Sequence, residues 1–265
     1  MGDLHIVVCV KVVPKPEEIR VDPETRMLNR EGVRTEINPP DMNALEMALV
    51  LKGQYGARVD ILSMGPPSFE SNLRAALAMG CDHIYLLSDR AFSGADTLAT
   101  TYTLAKGIQK ISGVDIVFLG EESSDGATGQ VPAGLAEWLN IPQLTLVTDI
   151  NVDLNGRVVQ GKREIKGGYE ILEVPLPCAL SVKTAANEPR FMDFSKKAWA
   201  FDVGRVTVWR ASDLSVEKEY IGLSGSPTVV SDLAEASVRE RMNIFLRGDS
   251  EEIAQQLANI IQSVI

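Results

Sequence analysis

Cysteine is scarce in this chain of 265 residues, which has only Cys9, Cys81 and Cys178. The three lie far apart and form no Cys-x-x-Cys pair, which argues against a metal site and against a thioredoxin-like redox motif. An odd number of cysteines, in a chain with no export signal at its start, favours free thiols and a cytoplasmic location. No apolar run approaches the ~20 residues of a membrane span, so none is expected.

Basic residues are also few, because 26 Lys and Arg against 36 Asp and Glu give a net charge of −10. Proteins that bind nucleic acid need a Lys- and Arg-rich surface to neutralise phosphates. Basic runs such as Lys196-Lys197 and Arg239 to Arg241 are too short to form one. Nucleic acid is therefore not an expected partner. Aromatic residues are 6% of the chain, so aliphatic side chains and Ala must fill its core.

Strands and helices alternate through the first 140 residues. Near-continuous apolar runs predict strands covered on both faces, and segments with helical spacing lie between them. This order predicts an α/β fold with a parallel sheet flanked by helices, in which ligands bind beyond the carboxyl ends of the strands. The expected strands are Ile6 to Val10, Val59 to Leu62, Ile84 to Leu87 and Val114 to Leu119. The expected helices start at Asp41 and Asp96, taken as N-caps, and span Ser71 to Met79 and Gln130 to Leu139.

The pattern changes near residue 150. A glycine turn at Gly167-Gly168 between two strand-like runs predicts a β-hairpin. From Asn187 to about Ser226 the periodicity is weak, and we expect an extended arm that carries at most a short strand. The remaining expected elements are the hairpin strands Val158 to Ile165 and Tyr169 to Val174, strand Cys178 to Val182, a short strand Val203 to Trp209, and helices Asp232 to Leu246 and Ser250 to Val264.

The loop from Gly120 to Gln130, GEESSDGATGQ, is the strongest candidate site. Its glycines and small residues would let backbone N–H groups face an anion at a helix N-terminus, although a solvated turn explains the bare pattern equally well. Asp96 and Thr97 lie at another helix start, where plain capping is the alternative to ligand binding. No catalytic motif is present, so a cofactor is expected to supply any chemistry.

The stretch from Gly161 to Phe191 combines a basic–acidic pair, a double-glycine turn, a Pro-x-Pro strand and Asn-Glu-Pro-Arg followed by an aromatic residue. This combination resembles the signature of the β subunit of electron transfer flavoproteins. The opening Cys9 to Pro14 is similar to that family's Val-Lys-x-Val-Pro start. Asn38-Pro39, Gly65-Pro66 and Ala75 to Gly80 also match. The resemblance covers essentially the whole chain, and implies an adenine-nucleotide α-hydrolase-like fold.

The resemblance implies a heterodimer in which the α subunit carries a redox-active FAD and the C-terminal region of the β subunit wraps round it. In one branch of the family the β subunit holds AMP as a structural ligand. In the electron-bifurcating branch the same site holds a second FAD. There NADH delivers a hydride, and the electron pair is split between a high-potential acceptor and a low-potential one such as ferredoxin or flavodoxin.

Three segments resemble the bifurcating branch: Asp125 to Pro132, Gly94 to Thr100, and Ser226-Pro227-Thr228 with Val230. FAD is therefore the expected cofactor and NAD(H) the expected substrate, with structural AMP as the alternative. Redox activity is expected only as part of a complex. The residues that the resemblance assigns to FAD are Cys9, Lys11, Asn38, Asp41, Met64, Asp96, Thr97, Thr100, Gly120, Asp125, Gly126, Thr128, Gln130 and Val131.

The resemblance also implies a partner-recognition loop for a flavin-dependent dehydrogenase. The family often has Leu where this chain has Ala186, and a methyl group buries far less apolar area than an isobutyl group. An acyl-CoA dehydrogenase is thus one possible partner and a 2-hydroxy acid dehydrogenase another. The expected domains are 1–186, for nucleotide binding, and 187–265, the recognition loop and C-terminal arm. The expected partner contacts are Ala186, Asn187, Glu188, Pro189 and Arg190.

Overall fold

A computed structural model of the chain describes residues 4–15, 20–21, 28–29, 34–201, 203–228 and 244–264. Thirteen strands are described: β1 (His5–Cys9), β2 (Val12–Pro14), β3 (Arg20–Val21), β4 (Leu28–Asn29), β5 (Thr35–Ile37), β6 (Arg58–Met64), β7 (His83–Leu87), β8 (Ile116–Gly120), β9 (Gln143–Asp153), β10 (Val158–Ile165), β11 (Gly168–Pro175), β12 (Cys178–Val182) and β13 (Val206–Trp209). The α-helices in the same ranges are α1 (Pro39–Tyr55), α2 (Glu70–Met79), α3 (Thr97–Ile111), α4 (Val131–Leu139), α5 (Lys197–Ala200) and α6 (Ser250–Val264).

Nine of these strands form one sheet, in the order β11-β10-β9-β12-β8-β1-β6-β7-β13. The seven strands from β9 to β13 in this order pair in parallel, and β10 and β11 add an antiparallel hairpin at one edge. The chain runs outward from β1 through β6 and β7, then crosses back to β8 on the other side of β1. This reversal between β1 and β8 is where open α/β sheets bind ligands.

The sheet has a buried core on each face. Alternate residues of β1 show the division, because Ile6 and Val8 pack with α1 and α2, while Val7 and Cys9 pack with α3 and α4. Phe118 at the centre of β8 is fully buried. The fold class expected from the sequence is therefore confirmed, as a mostly parallel sheet covered by helices on both faces.

The four predicted N-terminal strands and the hairpin are confirmed, but two details of the helices were wrong. Asp41 is not an N-cap, because α1 already starts at Pro39 with Asn38 as its N-cap. Leu98 was expected to face the core and is 46% exposed. The buried face of α3 instead follows Ala99 and Tyr102, which places Leu98 on the side facing away from the sheet.

The segment that follows Asn187 contains the predicted short strand, as β13, but is otherwise not the extended chain that we expected. Up to residue 228 it forms short 3-10 turns, α5 and β13, and β13 joins the main sheet by pairing in parallel with β7. The chain divides into compact units at 1–232 and 233–265. The functional division at residue 186 stays a prediction.

The second unit is described over residues 244–264. The predicted helix Asp232 to Leu246 lies outside the described part except for residues 244–246, which are not helical. The predicted last helix is confirmed as α6, on which Leu257 and Ile261 are about half exposed. None of the helices in the described ranges is long and apolar enough to cross a bilayer.

Candidate nucleotide-binding site

The candidate site lies at the reversal of the sheet, where the loops that follow β1 and β8 leave neighbouring strands. Strand β1 pairs with β8 from Ile6 to Val8, so the carboxyl ends of the two strands lie side by side. Asn38 is the N-cap of α1, which covers this end of the sheet, and donates its backbone N–H to the carbonyl of Lys11 at 2.8 Å. Three segments that are distant in sequence therefore meet at one edge.

Asp41 joins the ends of the two strands. One carboxylate oxygen accepts the backbone N–H of Lys11 at 2.7 Å, and the other accepts the N–H of Gly120 at 3.0 Å. The residue is only 7% exposed. Burial raises the pKa of Asp41 to about 7, against the lowering effect of its hydrogen bonds and of the Lys11 ammonium.

Gly120 allows this arrangement because there is no room for a side chain. A Cβ at this position would lie 2.5 Å from a carboxylate oxygen of Asp41 and 2.6 Å from the carbonyl carbon of Pro40. The end of β8 can therefore approach the first turn of α1 only if the residue is glycine.

Asn38 organises the loop after β8. This fully buried side chain donates from its amide nitrogen to the carbonyl of Glu122 at 2.9 Å and accepts the N–H of Ser124 at 3.0 Å. At the start of the same loop, the carboxylate of Glu121 accepts the backbone N–H of Thr184 at 2.9 Å. The first half of the loop is thus fixed from two sides.

The second half of the loop faces solvent, from Ser124 to Gln130. It makes left-handed turns at Ala127 (φ 47°) and Gly129 (φ 62°). The ammonium of Lys11, in the loop that follows β1, lies 2.5 Å from a carboxylate oxygen of Asp125 and 3.5 Å from the hydroxyl of Ser123. The structure therefore places an exposed, glycine-containing loop beside a cation.

The helices α3 and α4 start at this edge, but their N-termini differ. The Asp96 carboxylate caps α3, accepting the N–H groups of Leu98 at 2.9 Å and Ala99 at 3.1 Å. The N-cap of α4, Gln130, makes no side-chain cap hydrogen bond. Helix N-termini attract anions, and the α4 terminus is the one of the two without a carboxylate cap.

Asp96 also holds the segment from Ser226 to Thr228. Its other carboxylate oxygen accepts the hydroxyl of Thr228 at 2.7 Å and the backbone N–H of Thr228 at 3.1 Å, and its own N–H donates to the Ser226 hydroxyl at 2.8 Å. Burial acts to raise the pKa of Asp96, but these hydrogen bonds together lower it below its ordinary value. This carboxylate is therefore committed to protein contacts.

Most residues assigned from the sequence lie along this edge. Gly134 of α4 packs against Thr101 of α3, so the first turns of the two helices, with Thr97 and Thr100, are neighbours. Cys9 is buried. Burial raises the pKa of its thiol, the nearby carboxylate of Asp41 raises it further, and the thiol therefore stays protonated. Met64 ends β6 and is half-buried. Whether any of these residues touches a cofactor stays a prediction.

The recognition loop is attached to α1 by contacts that sequence reasoning missed. The side-chain amide of Asn43 donates to the carbonyl of Asn187 at 2.7 Å, and that of Asn187 donates to the carbonyl of Asn43 at 3.0 Å. The guanidinium of Arg190 binds both carboxylate oxygens of Glu46, at 2.8 and 2.9 Å. The signal was present, since Asn43 and Glu46 are polar residues within an Ala- and Leu-rich helix.

These contacts determine which predicted partner-binding residues are accessible. Ala186 packs partly against the core, and the side chains of Asn187 and Arg190 are used to hold the loop. Glu188 is exposed. Just beyond the predicted contacts, Phe191 is 93% exposed and Phe194 is 77% exposed.

Comparison with known proteins agrees with this architecture. The model of the electron transfer flavoprotein domain family matches residues 25–214, and this chain belongs to that family. The electron transfer flavoprotein subunit beta of Clostridium acetobutylicum is 48% identical over 97% of this chain and 98% of its own. The resemblance to the β subunit is therefore confirmed.

Two further relatives have different names. Protein FixA of Azorhizobium caulinodans is 46% identical over 89% of this chain and 86% of its own. Caffeyl-CoA reductase-Etf complex subunit CarD of Acetobacterium woodii is 44% identical over 86% of each chain. The matches extend over nearly the whole of each relative, so the similarity is not limited to the nucleotide-binding edge.

Proposed function

We propose that this chain is the β subunit of an electron-bifurcating electron transfer flavoprotein and that the edge between β1 and β8 binds FAD. The observation that supports this proposal most directly is the N-terminus of α4, which has no side-chain cap and lies behind the exposed loop from Ser124 to Gln130. Backbone N–H groups and the helix dipole there favour an anion such as the pyrophosphate of FAD. Lys11 adds a positive charge beside it.

The residues of the edge fit the rest of a dinucleotide. Gly126 and Gly129 give the loop little bulk, and Thr128 offers a hydroxyl next to the first turn of α4. Thr97 and Thr100, half-buried on α3, offer hydroxyls to uncharged parts of the ligand. The Asp96 carboxylate already occupies the N-terminus of α3 and holds Thr228, which supports α4 as the phosphate-binding helix. Asn38 supports the loop from behind.

When bound, the flavin would take a hydride from NADH and release its electrons singly, one towards the α-subunit FAD and a dehydrogenase and one towards ferredoxin or flavodoxin. The chain's own part is to bind the cofactor, to orient it and to set its potential through nearby charges and hydrogen bonds. We infer that this takes place in the cytoplasm as part of a complex with the α subunit.

The loop Ala186 to Arg190 is proposed to recognise the dehydrogenase. It is held firmly on α1, and the exposed Phe191 and Phe194 that follow it offer the large apolar contacts that Ala186 cannot. The name of the relative CarD supports a partner that acts on CoA thioesters, and a 2-hydroxy acid dehydrogenase remains the alternative.

The loop can be tested with a double substitution in the complex with the α subunit. Asp125→Ala with Thr128→Val should reduce the bound FAD by one per heterodimer, because it removes the polar side chains of the exposed loop. Asp149→Ala with Thr148→Val makes the same changes on β9 and should leave the FAD content unchanged. An unchanged FAD content in the loop variant would contradict the assignment of this site.

A further inference from the structure

At the edge between β1 and β8, the geometry gives Asp41 a role other than direct contact with a ligand. We propose that Asp41 is a positioning residue whose ionised carboxylate holds the ends of β1 and β8 in their binding arrangement, and that it thereby makes FAD affinity depend on pH. This inference rests on the proposed binding of FAD at this edge.

The geometry requires two acceptors. The two carboxylate oxygens each receive one backbone N–H, from Lys11 and from Gly120. An ionised carboxylate has only acceptors and satisfies both. A protonated carboxyl keeps one good acceptor, because its hydroxyl oxygen accepts weakly and its O–H needs a partner of its own, and an amide has a donor in place of one acceptor. In either form one of the two N–H groups has its bond weakened or lost.

The surroundings prevent the side chain from adapting. Asp41 is buried, and the space beside Gly120 is too small even for a methyl group. Loss of one bond must therefore move backbone. The backbone that would move is either the start of the loop after β8 or the residue Lys11. That loop and Lys11 are the two parts of the site that face the proposed pyrophosphate.

The groups that face Asp41 determine the direction of the pH effect. From β1 and the residues after it, these are the protonated thiol of Cys9 and the Lys11 ammonium, which lowers the pKa of Asp41. At the N-cap of α1, the Asn38 amide also lowers it. The β8 side contributes the Gly120 N–H and, one contact away, Asp125, which is paired with Lys11. Burial outweighs these effects and raises the pKa of Asp41 to about 7.

The sign follows from linkage. The ionised form makes the binding arrangement, so FAD affinity is greatest above about pH 7 and falls as the pH drops through that value. FAD should bind the protein with Asp41 ionised, so binding at a pH below about 7 should release the proton of Asp41. A drop from about pH 8 to about pH 6 should weaken binding by roughly tenfold.

The test uses the complex with the α subunit after its flavin has been removed, with FAD as the probe, titrated at about pH 6 and pH 8. The binding that Asp125→Ala with Thr128→Val abolishes is assigned to the edge between β1 and β8. The wild type should bind roughly tenfold more tightly at pH 8. Asp41→Asn should bind at least about tenfold more weakly than the wild type at pH 8 and equally at both pH values. The control Glu173→Gln, which removes an exposed carboxylate on β11, should behave as the wild type.

A second measurement needs no variant and so does not depend on how Asp41→Asn folds. Calorimetric titration of the wild type in two buffers of different ionisation heat should show release of roughly one proton per FAD near pH 6. Zero release, or an Asp41→Asn protein that keeps wild-type affinity or the wild-type pH dependence, would overturn the inference alone. Failure of the wild type to bind FAD at any pH would overturn the proposed function and the inference with it.

Discussion

Glu46 of α1 accepts three hydrogen bonds from Arg190, one from the backbone N–H at 3.0 Å and two from the guanidinium. The carboxylate is 10% exposed and the guanidinium 43% exposed, so the pair lies at the boundary of the protein rather than in its core. It fixes the recognition loop to the helix that also begins the candidate site.

We predict that Arg190→Met lowers the free energy of unfolding by ~1–3 kcal/mol, because it leaves the nearly buried Glu46 carboxylate without its cation. Glu46→Gln should cost less. The double variant should be more stable than the sum of the two single changes predicts, which a urea double-mutant cycle measures. Additive effects would contradict a direct coupling between the two side chains.

Gly120→Ala should be destabilising, because the new methyl would meet Asp41 and Pro40 at distances that no real contact allows. We expect the free energy of unfolding to fall by ~1–3 kcal/mol, as for other overpacked sites. Gly168→Ala on β11 is the matched control, since a Cβ there meets nothing within 4 Å, and it should change stability by less than ~0.5 kcal/mol. Equal effects of the two substitutions in thermal melts would rule out the steric explanation.

Lys11→Met should separate binding from stability. The pair of Lys11 with Asp125 is largely exposed, so its loss should change the free energy of unfolding by less than ~1 kcal/mol. FAD affinity should fall by about tenfold at low salt, because a charge beside the pyrophosphate is lost. The difference from wild type should shrink as salt is raised, since salt screens exposed charges. A loss of affinity that is the same at low and high salt would argue against a charge contact.

Thr228→Val should raise the pKa of Asp96 towards its ordinary value, because it removes the hydroxyl that stabilises the ionised form. The folded-state pKa of Asp96 is depressed, so its contribution to stability is present above the ordinary pKa and is lost as the pH falls through the folded value. The variant and wild type should therefore become equally stable in strong acid. Carboxyl NMR titration measures the shift, and Asp89, held by Ala91 and Ala211, should titrate as in wild type.

The layered fold could be predicted because each strand–helix repeat carries its own pattern of apolar residues. Strand β9 escaped prediction because its alternation changes phase. Its pairing with β10 shifts register between Lys162 and Arg163, and Leu146 adopts a φ of 60°. Likewise, no local pattern shows that β13 pairs with β7, which lies more than 100 residues earlier in the chain.

The candidate site was predictable as a loop but not as a set of contacts. The small residues between Gly120 and Gln130 marked an exposed turn after a buried strand. From local spacing alone, the polar residues that build it, Asn38 and Asp41, indicate only a helix entry, and the family resemblance alone assigned them to the site. A side chain that bonds to backbone 79 or 86 residues away leaves no trace in local spacing. For the same reason the sequence did not reveal that Asp96 is held by Thr228.

The cofactor content of the purified complex tests the central claim most directly. The complex of this chain with its α subunit is denatured, and the FAD and AMP released are counted per heterodimer. Binding of FAD at the edge between β1 and β8 predicts two FAD and no AMP. One FAD and one AMP would contradict it and would make this chain a non-bifurcating subunit with a structural nucleotide.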